Sequence, residues 1–476
     1  MPHPEDGAPS PPLDRARHLK YWSRCLRSLL PHHYTSSDSN RIALSYFILS
    51  AIDLLLPDSS TTPLSPSPSP LPALLTPSDR LHFRHWILSC QHTGGGFCGS
   101  PTMTLPPHSY SGWDFSSRAP EMGNPGHANI AATAFALILL ALLASSPEEA
   151  ASAFLDVDRT ATLSWLRRLQ RPDGSFGEVL ARVEGQEGLV VGGGRDMRYC
   201  YFAAVVRWML RGDEDEEKDI DVDGLVEYIA KSRTYDGGIA ESSMHEPHSG
   251  YAYCALGALA MLDRRAGGER GFDALGRAFP DVQGLVRWLV SRQFVYVDRE
   301  EEDDDDGDNF TFSEQQAEED PCVAFNGRCN KVADTCYCWW VSGALALLPS
   351  VDQSEDGSNV DLLIPRTAAR RFLMEKTQHM IGGFAKHPGG PPDLYHSYLG
   401  LAALATMGEP GLKEFDAALA VSKETAAKIE AARNGLAGVA KSNRTDEGGQ
   451  LGPALLDLGV EIRGQRPPWL PVGAVG

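Results

Sequence analysis

The sequence predicts an all-α protein, an α/α barrel built from repeated helix pairs. Three observations lead there. A glycine-rich turn recurs five times, as GGGFCGS (94–100), DGSFGE (173–178), DGGIAE (236–241), FNGRCN (325–330) and GGFAKH (382–387). An apolar segment rich in Ala and Gly follows each turn: IAATAFALILLALL, MRYCYFAAVVRWML, YAYCALGALAML, CYCWWVSGALALL and YHSYLGLAALATMG. No period-two alternation of the kind a half-buried strand requires competes with these segments.

The turns come first. Glycine reaches positive φ without a steric cost, so it suits the position just past a helix end. Gln91, Gln170 and Gln378 stand near the ends of three of the preceding helices. Each repeat therefore reads as outer helix, turn, inner helix. Ala and Gly allow the inner helices to approach closely, and their lack of charge means burial on every side. That favours closure into a barrel over an open solenoid.

The barrel is expected to span residues 18–430. Residues 1–17 read as a disordered start and 431–476 as a tail with little apolar periodicity. Two insertions interrupt it. Residues 56–78 are rich in Pro and Ser and read as a surface loop. Residues 298–320 hold 13 acids against Arg299 alone, which is −12 of the formal net charge of −20. Such a run repels itself and cannot form a packed core. A shorter acidic stretch, 213–223, reads as a solvated loop.

Composition excludes several roles. A chain of net charge −20 is unsuited to a nucleic-acid backbone. The start MPHPEDGAPSPPLDR has no apolar core, so it does not read as a secretory signal. The most apolar stretch, Ile130–Ala144, is too short to span a bilayer. The 9 cysteines form no disulfide-like framework, which fits a reduced, cytoplasmic setting.

Candidate chemistry gathers at the starts of the inner helices. Asp334 and Cys336 fall where a cap and a first helical turn would be, and His396 opens the helix of the next repeat. A carboxylate, a thiolate and an imidazole form a sound three-ligand zinc set with a fourth position open. On spacing alone, Cys and His on apolar helices read more ordinarily as core residues. A basic group lies nearby in sequence: Arg328 and Lys331 in the turn, Tyr337 after Cys336, and His248 before another inner helix. All are donors suited to a diphosphate, although turn cations are often simply solvated. Tyr201, Tyr251, Tyr253, Trp339 and Trp340 form an aromatic set that fits either a core or an apolar tunnel.

The segments GRCNKVADTCYCWW, HSGYAYC, DMRYCY and GGFAKHPGGPPDLYHSYLGLAAL resemble the β subunits of protein prenyltransferases. The resemblance runs from about His18 to Met407, with the motifs in family order. It implies an α/α barrel that holds an isoprenoid and one zinc ion, with Asp334, Cys336 and His396 as the zinc ligands. It implies that His248, Arg328, Lys331 and Tyr337 hold the diphosphate. Arg198 matches an arginine near the bound peptide's C-terminus, and Tyr201, Trp339 and Trp340 match the isoprenoid lining. It also implies a heterodimer with an α subunit.

Among the branches of the family, the type I geranylgeranyltransferase is most similar. HLKYWSRCLRSLLPHHYTSSDSNRIALSYF looks like the start of that subunit. Ala43 stands where farnesyltransferase has a tryptophan that shortens the pocket, and Phe47 follows one turn later. Lys386 stands where farnesyltransferase has an aspartate linked to magnesium use, so transfer is expected not to require magnesium. Tyr395 departs: it resembles farnesyltransferase, whereas type I enzymes have leucine. The expected reaction moves a geranylgeranyl group from geranylgeranyl diphosphate to the cysteine of a C-terminal C-a-a-X tail, as on small GTPases. The alternatives are a farnesyltransferase or Rab geranylgeranyltransferase β subunit, a terpene cyclase, and a non-catalytic helical scaffold.

Overall fold

The computed structural model describes residues 12–57, 74–101, 127–181, 188–215, 217–264, 273–297, 321–349 and 359–445. The chain divides into two compact units, Met1–Leu436 and Ala437–Gly476, and the described part of the second is only the end of the last helix. In chain order the described helices are α1 (Arg15–Arg27), α2 (Arg41–Leu55), α3 (Pro77–Ser89), α4 (Ile130–Leu142), α5 (Pro147–Ala151), α6 (Arg159–Arg168), α7 (Met197–Met209) and α8 (Val222–Lys231). They continue with α9 (Ser249–Asp263), α10 (Ala274–Ala278), α11 (Gln283–Val290), α12 (Thr335–Leu347), α13 (Asn359–Leu363), α14 (Arg366–Arg371), α15 (Leu394–Thr406) and α16 (Lys423–Thr445).

In the first unit, α2, α4, α7, α9, α12 and α15 form a closed ring. Each packs on the next, and α15 returns to α2. The predicted barrel is therefore closed. The inner helices are apolar all round; in α4 every residue but Ala131 and Phe135 is buried. The outer helices are amphipathic. Helix α8 buries Leu225, Val226, Tyr228 and Ile229, and α11 buries Leu285, Val286, Trp288 and Leu289, one stripe in each case.

In three of the five repeats, a glutamine joins the repeat to the next. The Gln91 side chain accepts from Asp158 N (2.8 Å) and donates to Asp156 O (3.2 Å), just before α6. Gln170 does the same at Asp221 N (2.7 Å) and Asp221 O (2.8 Å), at the cap of α8. Gln378 closes the circle: its Oε1 takes bonds from Arg17 and His18 of α1, both at 2.9 Å. The turn glycines make this docking possible. Gly382 has φ 91°, and a Cβ there would lie 2.7 Å from Arg17 O. At Gly174, φ 88°, it would lie 1.9 Å from Gly224 O.

One end of the ring is plugged. After α15 the chain turns through a hairpin of β5 (Phe415–Asp416) and β6 (Val421–Ser422). Tyrosines from four inner helices donate to its carbonyls: Tyr253 to Ala417 (2.8 Å), Tyr201 to Ala418 (2.8 Å), and Tyr46 and Tyr398 to Ala420 (2.6 Å each). The base of the hairpin is anchored by buried Lys413, 2.7 Å from both Asp53 and Glu424. A cavity of about 690 Å³ behind the plug is lined by Arg264, Glu414, Asp416, Lys423 and Glu430. It includes none of the predicted site residues.

Several expectations change. Among the described residues two more antiparallel strand pairs occur, β1 (Val179–Ala181) with β2 (Val190–Gly192), and β3 (Gln293–Tyr296) with β4 (Cys322–Phe325). Strands of three or four residues are too short to register as alternation. FNGRCN begins in β4, and Asn330 (φ 59°), not Gly327, takes the left-handed position there. The acidic stretch 213–223 is not merely solvated: Asp219 bonds Arg207 at 2.6 Å, Asp213 lies 3.3 Å from buried Arg433, and Asp221 caps α8. Within 56–78, α3 already starts at Pro77 behind a Thr76–Asp79 capping box. Helix α16 runs across residue 431, with Ala432 and Arg433 buried. The run 298–320 and most of residues 1–17 lie outside the described residues.

Candidate active site

Inner helices follow outer helices throughout, so they run parallel and their N-termini share one rim. Five of them begin on a capping side chain: Asn129, Asp196, His248, Asp334 and Asp393. A short polar side chain caps well because its oxygen takes an otherwise unbonded N–H of the first turn. The sequence therefore places its polar groups on this rim for local reasons, and ring closure brings them together.

Asp334 caps α12 and accepts from Cys336 N at 2.8 Å. Helix α15 packs beside α12, bringing His396 Nε2 to 3.2 Å from Asp334 Oδ1. One ligand atom from each of Asp334, Cys336 and His396 lies within 4.8 Å of the others, and all three residues are buried. The sixty-residue gap that made the set illegible from spacing is closed by one helix contact. Behind it, Asp393 Oδ2 accepts from His396 Nδ1 at 2.6 Å. That bond leaves Nε2 to face the cluster, the usual outer support of a metal-bound imidazole.

Protonation at the cluster follows from this packing. For His396, burial opposes the charged ring, but Asp334 and Asp393 outweigh it and push the imidazole up to about 9. For Asp334, burial opposes ionisation, but bonds from His396 and Cys336 hold it below its ordinary value. Burial, then the neighbouring Asp334 carboxylate, pushes the Cys336 thiol well above its ordinary value. A divalent metal would replace both protons. The donors present (one O, one S, one N, with support behind the His) fit zinc with an open coordination position.

The basic group also converges. His248 Nδ1 accepts from Gly250 N at 3.1 Å, so the proton of the neutral ring sits on Nε2, 3.4 Å from Tyr337 Oη. Burial, followed by the field of Arg328, lowers His248 to about 4, and Lys331 and Arg198 add to that field. At neutral pH the ring is therefore an uncharged N–H donor beside cations. Gly327 is needed here for space: a Cβ would lie 2.3 Å from the Tyr337 ring and 2.6 Å from His248 Nε2. Arg328 is half-exposed and ion-paired with Glu246. Lys331 is exposed in the same loop. Lys386 Nζ lies 3.9 Å from Asp334 Oδ2, and its carbonyl takes a bond from Thr335 N (3.1 Å).

Aromatic side chains link all six inner helices. Phe47 meets Tyr395 (5.7 Å between centroids) and Phe135 (6.3 Å). Phe135 meets Phe202 (5.2 Å), Phe202 meets Tyr201 (5.4 Å), and Tyr201 meets Tyr253 (5.6 Å). Tyr253 then meets Trp340 at 5.2 Å. Phe47, Phe135, Phe202, Trp340 and Tyr395 stay partly exposed although their helices are ringed by the outer layer. They line the ring's interior. Ala43 is buried one turn before Phe47. Trp339 differs from its neighbour: it is 1% exposed and packs on Tyr253 and on Phe415 of the plug. Tyr201 likewise lies at the plug. Arg198 stands at the rim, gripping Asp196 through Nε (3.0 Å) and Nη2 (2.6 Å).

Sequence reasoning missed Asp393, Phe135, Phe202 and the tyrosine-bound plug. An aspartate three residues before a helix-opening histidine was a readable signal for the first. The others needed the ring, because nothing local distinguishes a phenylalanine facing a chamber from one in a core.

The chain matches the prenyltransferase alpha-alpha toroid domain over residues 13–421. It is 29% identical over 422 residues to the geranylgeranyl transferase type-1 subunit beta of Arabidopsis thaliana, covering 86% of this chain and 89% of that protein. It is 27% identical over 395 residues to the protein farnesyltransferase subunit beta of Schizosaccharomyces pombe, covering 82% and 78%. Among solved structures it resembles Candida albicans protein geranylgeranyltransferase-I complexed with GGPP, with a TM-score of 0.64, 26% identity, and 88% and 99% coverage.

Proposed function

This chain belongs to the prenyltransferase alpha-alpha toroid family, and we propose that it is the catalytic β subunit of a type I protein geranylgeranyltransferase. The observation that carries the reading is the meeting of Asp334, Cys336 and His396 at the rim of an aromatic-lined ring. The relative and the solved structure named for type I geranylgeranyl transfer add to it. The metal is zinc, held by Asp334, Cys336 and His396, with Asp393 orienting His396.

A zinc ion held by these three residues would supply a Lewis-acidic open position, at which a peptide cysteine would be kept as thiolate near neutral pH. The isoprenoid of geranylgeranyl diphosphate lies along Phe47, Trp340 and Tyr395, with Tyr201 and Trp339 backing them and Ala43 leaving length for the last isoprene unit. Arg328 and Lys331 supply charge to the diphosphate, and Tyr337 and His248 Nε2 donate neutral hydrogen bonds. The thiolate sulfur attacks C1, the C1–O bond breaks, and the diphosphate leaves with the electron pair. Donors fixed in place before the reaction stabilise that growing charge without reorganising. Lys386 contributes a fixed positive charge at the same rim, so magnesium is not required. Arg198 stands where the C-terminus of the C-a-a-X tail would enter.

The α subunit is the partner, and C-a-a-X proteins such as small GTPases are the acceptors. Nine free cysteines suit a reduced cytoplasmic setting. No described helix is long and apolar enough to cross a membrane. The test is prenyl transfer by the co-expressed heterodimer with geranylgeranyl and farnesyl diphosphates in competition. Preferential geranylgeranyl transfer to a tail ending in leucine is expected. Farnesyl preference, or no transfer by a zinc-loaded heterodimer, would overturn the assignment.

A further inference from the structure

Cys329 is used by none of the steps above. It sits between Arg328 and Lys331 and is the one exposed free cysteine among the described residues. Its Sγ is 3.4 Å from Nη2 of Arg292. Arg292 is 6% exposed. Its Nη2 also donates to Ser291 Oγ at 3.2 Å, and its guanidinium lies 4.8 Å over the Trp288 ring. Its Nε and Nη1 are buried with no hydrogen-bond partner, and among the described residues no carboxylate pairs with it. A buried cation without a counter-charge is costly unless charge nearby answers it. Among the described residues, the group in contact with this guanidinium that can form a covalent adduct is the Cys329 sulfur.

We propose that Cys329 is a thiol–disulfide modification site, at which a small carboxylate-bearing disulfide of the glutathione class forms a mixed disulfide that blocks the diphosphate anchor. This rests on the reading of Arg328 and Lys331 as that anchor. The Cys329 sulfur attacks one sulfur of the disulfide. Its S–S bond breaks, a Cys329–S–S–R bond forms, and the other half leaves as a thiolate that takes up a proton. Cys329 is oxidised, one sulfur of the reagent is reduced, and no other oxidant is needed. Nη2 of Arg292 donates to the attacking sulfur and holds it in the loop between the two cations. Arg328 and Lys331 attract the reagent's carboxylates, and the adduct then occupies the loop that would otherwise receive a diphosphate. Of the other eight cysteines, Cys25 is half-buried and the rest are buried, so accessibility also selects Cys329.

The experiment uses the zinc-loaded heterodimer, treated with oxidised glutathione and read by peptide mass, donor affinity and transfer rate. Cys329 is expected to carry the adduct first, donor affinity to fall at least about tenfold with it, and dithiothreitol to restore both. Cys329→Ser should keep transfer and resist inactivation. Arg292→Met should slow adduct formation several-fold, and Arg292→Lys should recover part of the rate. Labelling of another thiol first, or a Cys329 adduct with undiminished donor affinity, overturns the proposal. Arg328→Ala and Lys331→Ala in untreated enzyme separate the two readings. Normal donor affinity in both variants means that the anchor assignment has failed, whatever Cys329 does.

Discussion

His396 Nδ1 lies 2.6 Å from Asp393 Oδ2, and Asp393 is also the cap of the helix that carries His396. One carboxylate thus starts the helix and aims the ring. Asp393→Asn keeps a good cap but removes the charge, so fold and melting temperature should change little. Zinc affinity should fall by roughly 10–100-fold, the usual cost of losing such support. Competition with a chromophoric chelator measures it; unchanged affinity would mean that Asp393 is a cap and nothing more.

Zinc uptake should release protons from both Cys336 and His396. The direction follows from the metal-free site, where His396 sits at about 9 and Cys336 well above its ordinary value. Below pH 9 the metal competes with a bound proton on the ring, so affinity should rise as pH rises towards that value. Titration in weak buffer with a pH indicator reads the release. Cys336→Ala should lose both zinc and transfer; stoichiometric zinc with normal turnover in that variant would remove the site.

Ala43→Trp should shift the ratio of geranylgeranyl to farnesyl transfer towards farnesyl by at least about tenfold, because a bulky ring fills the chamber beside Phe47. Competing the two donors in one reaction gives the ratio directly. Tyr395, 5.7 Å from Phe47, already narrows the same region. Tyr395→Leu should therefore move the ratio the other way, and no movement in either variant would locate chain-length selection elsewhere.

Transfer by the wild type should proceed without added magnesium. Lys386→Asp should be slow without the ion and partly restored by it, since a divalent cation can serve the same electrostatic purpose. Rates across a magnesium titration decide this. A wild type that depends on magnesium would refute the role of Lys386.

Lys413→Met should destabilise the first unit by about 3–5 kcal/mol, because it leaves Asp53 and Glu424 without their buried cation. The plug that closes the ring is anchored there, so donor binding should weaken too. Denaturant unfolding and donor affinity test the two effects separately.

The helix-pair repeat was legible because its signals are local: a glycine just past a helix end, a glutamine before it, and an apolar run after it. The caps were legible for the same reason, which is why Asp334 and Cys336 were placed correctly from a few residues of sequence. The strands were too short to register, and the acidic stretch 213–223 looked solvated because its partners, Arg207 and Arg433, are far away along the chain or inconspicuous.

Sequence alone determined which residues start each inner helix, which faces are apolar, and that a carboxylate, a thiol and an imidazole were available. Tertiary structure alone decided that they meet. His396 reaches Asp334 because α15 packs on α12, and the circle holds because Gln378 bonds Arg17 and His18 across nearly the whole chain. The same closure separates Trp340, facing the chamber, from Trp339, pressed on the plug, although the two are adjacent. The physical reason is range: capping and periodicity act within a turn or two of helix, whereas contacts across a closed ring depend on how every repeat docks on the next.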